Sequence, residues 1–294
     1  MARAAQALYK VSEALIVALQ SPKASFRWLR FLWSNQFAQL RLRHNPGFVV
    51  KPFKRYLNSN YKVPDRVRSL VSHYEFALER FSGGHLDSIY FGAGLILAEF
   101  PGKSGAFYRV LLGIHSSCHN EGEMLLKIQT FKGDVVCFAI FTIGSSKNGK
   151  LQIELGTIQG QSRNTDFSVT ATATRDFHAL RPIHLLMAIV YSVARNWKID
   201  TIVCVATRTH VNHLNGANAL FCRNYDTLWK QLGGQLNFDT GFYLLPFRFT
   251  YGIGVNQGRK HRSRHRRRTE LKNEIFKMVE NSLTRALPRK SSTQ

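Results

Sequence analysis

"GAFYRVLLGIHSSCHNEGEMLLKIQTFKGDVVCFAIFTIGSSKNGKLQIELGTIQG", residues 105–160, contains four apolar, β-branched runs. They are "GAFYRVLLGIHSS", "GEMLLKIQTF", "DVVCFAIFTIG" and "LQIELGTIQG", parted by turn residues that include Lys132-Gly133-Asp134 and Lys147-Asn148-Gly149. A period of two broken by Gly and Asn turns marks strands joined by hairpins, so the stretch predicts an antiparallel meander. Downstream, "VTATATRDFHALRPIHLLMAIVYSVARNW" (169–197) reads as helix with a restart at Pro182. "IDTIVCVAT" (199–207) is a short continuous apolar run of the kind that forms a buried strand. Antiparallel strands, a helix and a further strand predict an α+β fold with a mixed, mostly antiparallel sheet and flanking helices.

Upstream, residues 1 to about 45 are basic and helical in pattern, with Leu8, Val11, Leu15, Ile16 and Leu19 spaced for one face. Pro22 separates this helix from "FRWLRFLWSNQFAQLRLR" (26–43), where aromatics alternate with arginines. Two readings stay open. The helix lies on an anionic membrane surface with Trp28 and Trp33 at headgroup level, or it packs on the body with its arginines in water. A helix from Pro64 to Phe81 begins with proline in its first turn and is stopped by Gly83-Gly84. Its His73 and Tyr74 read as packing residues. Near the end, a short helix closes at Gly233-Gly234, a strand carries Pro246, and "GRKHRSRHRRR" (258–268) leads a last amphipathic segment. The chain divides into a basic amphipathic helical region (1–60), an α+β domain (61–250) and a basic tail with an amphipathic helix (251–294).

With 294 residues, 44% of them hydrophobic, the chain has the material for a substantial core. Its 41 Lys and Arg against 18 Asp and Glu give a formal charge of +23, which attracts polyanions: nucleic acid, an anionic membrane face or an acidic carrier protein. No helix-turn-helix, RRM or zinc-finger signature accompanies the basic cluster, which places nucleic acid behind the membrane as a partner. Cys118, Cys137, Cys204 and Cys222 are scattered without a CxxC pair, and read as reduced thiols of a cytoplasmic protein that holds no metal. Lys10, Ser12 and Glu13 interrupt the first apolar stretch, unlike a secretory leader, and no run approaches the length of a membrane span. The expected location is therefore the cytoplasm, with peripheral attachment at the inner face of the inner membrane.

Several segments in one order resemble the VirK/YbjX family of Gram-negative bacteria: "HYEF" (73–76), "EGEMLL" (121–126), "IELGTIQG" (153–160), "FHALRP" (177–182), "NYDTLWKQLGG" (224–234), "YLLP" (243–246) and the terminal basic cluster. The likeness runs from about residue 60 to 280. It implies a role in virulence, envelope integrity, display of surface proteins and resistance to cationic antimicrobial peptides, and it supplies no established reaction. The chain departs from the pattern at Arg223-Asn224 and Lys230-Gln231, where more acidic residues are usual, which leaves Asp226 as the acid to retain there.

The strand order is also similar to the core of GNAT acyltransferases, whose pantetheine thioester enters between splayed central strands. Such a core implies an acyl-coenzyme A donor, or one on an acyl carrier protein that the +23 charge would attract. The expected phosphate loop is present only as Gln159, Gly160, Gln161 and Arg163 in "IQGQSRN". Glu121 and Glu123 are two apart, so in an extended segment they share a face, and mutual repulsion would raise one of them into the range of a working acid or base. The bland alternative is a turn whose carboxylates pair with arginines. His178 and Arg181 precede the helix at Pro182, where they either hold an anion or, respectively, cap the helix and pair with Asp176 or Glu154. His210 follows the buried strand, where ligands of open α/β sheets collect. The expected catalytic set is Glu123, Glu121 and His178, with Arg181, Gln159, Gly160, Arg163, His210 and Asp226 binding ligand. The rival reading is a non-catalytic adaptor that grips anionic lipid or an envelope partner.

Overall fold

The computed structural model describes residues 16–160, 168–212, 224–247 and 259–288. The four runs form β2 (Phe107–Gly113), β3 (Met124–Thr130), β4 (Val135–Ser145) and β5 (Leu151–Gly160), paired antiparallel in sequence order. An additional strand, β1 (Leu95–Pro101), extends the meander at its edge. Its "LILAEFP" ends in proline, which an edge strand tolerates. After β5 the chain crosses over through α5 (Ser168–Asp176) and α6 (Pro182–Asn196) to β6 (Ile202–Val205), which runs parallel to β5. β7 (Gln235–Asn237) and β8 (Phe242–Leu245) complete one eight-stranded mixed sheet in the order β1-β2-β3-β4-β5-β6-β8-β7. The α+β class and the mostly antiparallel sheet are as the sequence predicts.

Helix α6 owes its position to being apolar nearly all round, with every residue from His184 to Ala194 buried. It lies between the sheet and the last helix, α8 (Arg259–Ala286), whose Leu271, Ile275, Val279, Leu283 and Ala286 form one buried stripe. That helix also packs against β1.

On the N-terminal side, α1 (Pro22–Ser34) and α2 (Gln36–His44) replace the single expected helix. The break falls at Asn35, whose side chain caps α2 by accepting from the Ala38 N–H at 3.0 Å. Trp28 is fully buried and donates its indole N–H to the Val49 carbonyl at 2.8 Å, whereas Trp33 is 86% exposed. Helix α3 (Val63–Arg80) brings Tyr74 against Phe31, Phe37 and Phe48, joining the N-terminal helices to the core. Gly83-Gly84 open α4 (Gly83–Tyr90) rather than merely closing α3.

Candidate functional site at the open end of the parallel strands

β5 and β6 pair only at Ile153–Ile202, Glu154–Val203 and Leu155–Cys204. β6 ends at Val205 while residues 156–160 of β5 run on, which leaves that flank of β5 open at the C-terminal end of the sheet's one parallel pair. Gly156 sits at that opening because a β-carbon there would lie 1.8 Å from the Glu121 carbonyl oxygen. The turn 120–122 therefore rests directly on β5. It is fixed by the Leu57 N–H donating to the Asn120 carbonyl at 2.7 Å and the Glu123 N–H donating to the Phe141 carbonyl at 3.0 Å.

A buried polar cluster gathers around this turn. Asn212 donates its side-chain amide to the Glu121 carboxylate at 2.6 Å, and Glu121 is 3% exposed. The Asn212 N–H donates to His210 Nδ1 at 3.2 Å, so a neutral His210 ring carries its proton on Nε2. His210 also forms a β-bridge with Asn58, and its ring lies 5.4 Å from that of Tyr225. Tyr225 opens α7 (Tyr225–Gln231), and its hydroxyl meets the Thr157 hydroxyl on β5 at 2.5 Å. Gln159 donates to the same Thr157 oxygen at 3.2 Å. Asp226 accepts from the Thr207 N–H at 2.8 Å just past the end of β6. Glu121, Gln159, His210 and Asp226 are thus brought together from four segments at one end of the parallel pair. Gly160 ends β5 beside them, and Arg163 lies outside the described residues.

Glu123 belongs to a different set of contacts. β3 begins at Met124, so the Glu-Gly-Glu segment precedes the strand and its alternation does not carry both carboxylates to one partner. Glu123 pairs with Lys51 Nζ at 2.5 Å and accepts from the Tyr74 hydroxyl. Burial works to raise its pKa, but Lys51, His73 and the two hydrogen bonds outweigh that and hold it at about 2. This corrects the expectation of a carboxyl raised by its neighbour: an ammonium governs Glu123, and it stays ionised. Burial pushes Lys51 down despite the attraction of Glu123. The two directions agree once desolvation is counted, because enclosing the lysine costs more than its partner returns. His73 is also enclosed. Its Nδ1 accepts the Ile143 N–H at 3.1 Å, so Nε2–H faces the Tyr90 hydroxyl at 2.7 Å, and burial lowers its pKa to about 3.

The two remaining expected residues lie elsewhere. His178 lines a cavity of about 690 Å³ bordered by α5 and α8. Arg181 is exposed and pairs with neither expected acid, since Asp176 is met by Ser104 and Tyr108, and Glu154 by Tyr61, Ser69 and Gln152. Nor does the His178 side chain cap α6; its residue stands in a left-handed turn at φ 56°. Among the described residues no cluster of three His, Cys, Asp or Glu is placed to hold a metal, and no helix is long and apolar enough to cross a membrane.

Sequence reasoning missed Lys51, Asn212 and Thr157, and set Tyr74 aside as packing. Lys51 carries a legible signal: in "VVKPF" it is a lone cation with apolar neighbours on both sides, which is how a lysine drawn inside looks. Asn212 and Thr157 carry none, because their roles come from which strand ends meet.

A family described as "Protein of unknown function (DUF535)" matches residues 9–281. The match begins well before residue 60, so the N-terminal helices lie inside the family's extent and not outside it. The chain is 24% identical over 262 residues to "Uncharacterized protein YbjX" of Escherichia coli (strain K12), covering 87% of this chain and 78% of that one. It is 19% identical over 239 residues to an "Uncharacterized protein" of Haemophilus influenzae, covering 81% and 77%. Among solved structures, two mutant forms of a cAMP-binding acyltransferase from Mycobacterium smegmatis align with TM-scores of 0.35 and 0.36 at 9% identity. They cover 76% and 86% of this chain, which spans 61% and 65% of theirs, less than two thirds.

Proposed function

The chain belongs to the DUF535 family, which includes VirK and YbjX, and from that premise we propose that it is a GNAT-like acyltransferase serving the bacterial envelope, with an acyl-coenzyme A or acyl carrier protein donor at the opening between β5 and β6. The observation that carries this reading is the early end of β6 beside β5, past Leu155 and Cys204, with carboxylate, imidazole, amide and phenol groups gathered there. Ligands of open α/β sheets collect beyond the carboxyl ends of parallel strands, and β5 and β6 form the parallel pair here.

In this reading the thioester carbonyl sits between β5 and β6. An acceptor amine or hydroxyl attacks the carbonyl carbon and gives up its proton to Glu121 or His210, and the thiolate leaves. Tyr225 is placed in the opening to return a proton to that sulfur. Glu123, locked to Lys51, acts by holding the turn that presents Glu121 and does not take part in proton transfer.

The experiment is saturable binding of acyl-coenzyme A and acyl carrier protein to the full chain, with thiol release followed once an acceptor is supplied. The reading expects Glu121→Gln and Tyr225→Phe to lower thiol release while leaving the fold intact. Donor binding no stronger than that of coenzyme-free polyanions would overturn it.

A second reading, an adaptor on an anionic membrane, is favoured by the outer face of α1. Phe26, Leu29 and Trp33 are 69%, 52% and 86% exposed there, flanked by exposed Lys23, Arg27 and Arg30. Aromatic and aliphatic groups beside cations suit the interface of an anionic bilayer. Peripheral attachment to the inner membrane would then supply the link to surface-protein display and peptide resistance, and it is compatible with either chemistry.

A further inference from the structure

The cavity of about 690 Å³ that contains His178 is built from three separate elements. The turn between β1 and β2 contributes Lys103 and Ser104, α5 contributes Thr172, Arg175 and Asp176, and α8 contributes Ser263, Arg264 and Arg267. Asp176 brackets the turn: Ser104 donates from its N–H at 3.1 Å and from its hydroxyl at 2.9 Å, and Tyr108 donates its hydroxyl at 2.6 Å. Gly102 allows this approach, because a β-carbon there would stand 2.7 Å from Asp176 Cβ. Both carboxylate oxygens are therefore occupied by neutral donors. Lys103, Arg175, Arg264 and Arg267 face the cavity, and none of them forms an ion pair with a carboxylate among the described residues.

The opposite wall is held in place with equal care. His178 and Ala179 both adopt left-handed backbone, at φ 56° and 62°, an uncommon state for residues with a side chain. Their carbonyls accept from Arg268 Nε at 2.9 Å and Nη2 at 2.7 Å. One arginine of the basic run is thus spent on anchoring α8, and Arg264, one turn earlier, and the adjacent Arg267 line the cavity. Burial first, and then Arg267, Lys103 and Arg268, lower the His178 pKa, so the ring is neutral and is a hydrogen-bonding rather than a charged member of the wall.

We propose that this cavity is a binding site for a phosphate monoester or pyrophosphate group, free or on a lipid headgroup, clamped by Arg264, Arg267, Arg175 and Lys103 with Thr172 as a hydroxyl donor. Guanidinium groups from two helices and an ammonium from a turn match a compact oxyanion with several charges. The cavity volume suits a headgroup or small phosphate ester. The site is separate from the opening of β5 and β6 and does not depend on acyl transfer there.

The test uses the full chain at physiological salt and two charge-matched variants. Arg264→Gln/Arg267→Gln removes two cations from the cavity. Lys277→Gln/Arg285→Gln removes two exposed cations further along the same helix. Binding of pyrophosphate and of vesicles containing phosphatidic acid in phosphatidylcholine is measured for each, with circular dichroism to verify folding. Loss of two charge-assisted contacts is expected to weaken binding by about tenfold or more in the first variant, with less than a twofold change in the second. A cavity-dependent loss for pyrophosphate identifies a free phosphate ligand, and one confined to vesicles identifies a lipid headgroup. Equal losses in both variants, or no binding of either probe by the native chain, overturn the proposal.

Discussion

Replacing Lys51 with methionine keeps most of the side-chain stem and removes its charge, leaving the Glu123 carboxylate enclosed with the Tyr74 hydroxyl. In the native chain Glu123 titrates at about 2 instead of 4.5, which amounts to about 3 kcal/mol of preference for the ionised form. Removing one member of a buried pair strands the other, so the variant is expected to lose about 3–5 kcal/mol at pH 7. The pH dependence carries the sharper signature. In the native chain the folded value lies below the unfolded one, so the contribution of Glu123 is complete above about 4.5 and is lost as pH falls toward 2. In Lys51→Met, burial is the dominant influence and the folded value rises above the unfolded one. The folded carboxyl then takes up a proton while the unfolded chain is still ionised, and the penalty shrinks between pH 7 and pH 5. Urea titration followed by the fluorescence of buried Trp28 and Trp229 measures both states. A penalty under about 1 kcal/mol at pH 7, or one that stays constant on acidification, would refute the reasoning. The double variant Lys51→Met/Glu123→Leu should recover only part of the loss, since the stranded carboxylate is gone but Arg41 loses the attraction of Glu123.

Other outcomes follow from the same structure. His73 titrates at about 3 in the folded chain against an ordinary 6.5, so it contributes stability above 6.5 that is lost as pH falls toward 3; His73→Gln should flatten the stability profile in that interval, measured by urea titration, and an unchanged slope would rule His73 out. Gly156→Ala forces the Glu121 carbonyl away from β5 and should cost about 3 kcal/mol, together with donor binding, read by thermal unfolding and titration. Trp33→Ser touches no core residue and should shift stability by less than about 0.5 kcal/mol, while weakening attachment to anionic vesicles in a sedimentation assay. Burial pushes the Cys137 and Cys204 thiols up, so a thiol reagent applied to the folded protein should spare both and label Cys118, which is half-buried, as mass spectrometry of the digested product would show.

The meander was legible because each of its runs combines alternation with a Gly or Asn turn, and α6 because its apolar stretch follows a helix-starting proline. β1 escaped notice although Gly94 precedes it and Pro101-Gly102 closes it, because its apolar residues do not alternate cleanly and its identity comes from lying beside β2. The carboxylates of the Glu-Gly-Glu segment show a different limit. Their spacing suggested a shared face, yet a segment one residue short of a strand does not inherit the strand's periodicity, and Glu121 and Glu123 reach Asn212 and Lys51 respectively. The sequence singled out Gln159 from a partial phosphate loop, His210 from its place after a buried strand, and Asp226 from the family resemblance. Their convergence depends on β5 and β6 being parallel neighbours, a pairing between residues some fifty positions apart that no single window of sequence contains.

The last helix sets a condition on how the molecule comes into being. Leu271, Ile275, Val279 and Leu283 lie buried on the helix that packs against α6 and β1, and the Ala286 carbonyl accepts the N–H of Ser82 at 2.9 Å, some two hundred residues earlier. A ribosome that has released everything up to the basic run has therefore delivered a complete sheet with its outermost strand uncovered and ready to pair with a neighbouring chain. Premature termination within α8 would leave a sticky product, whereas completion seals it. The cations at the head of that helix also keep unfinished chains apart by repulsion until the seal is in place.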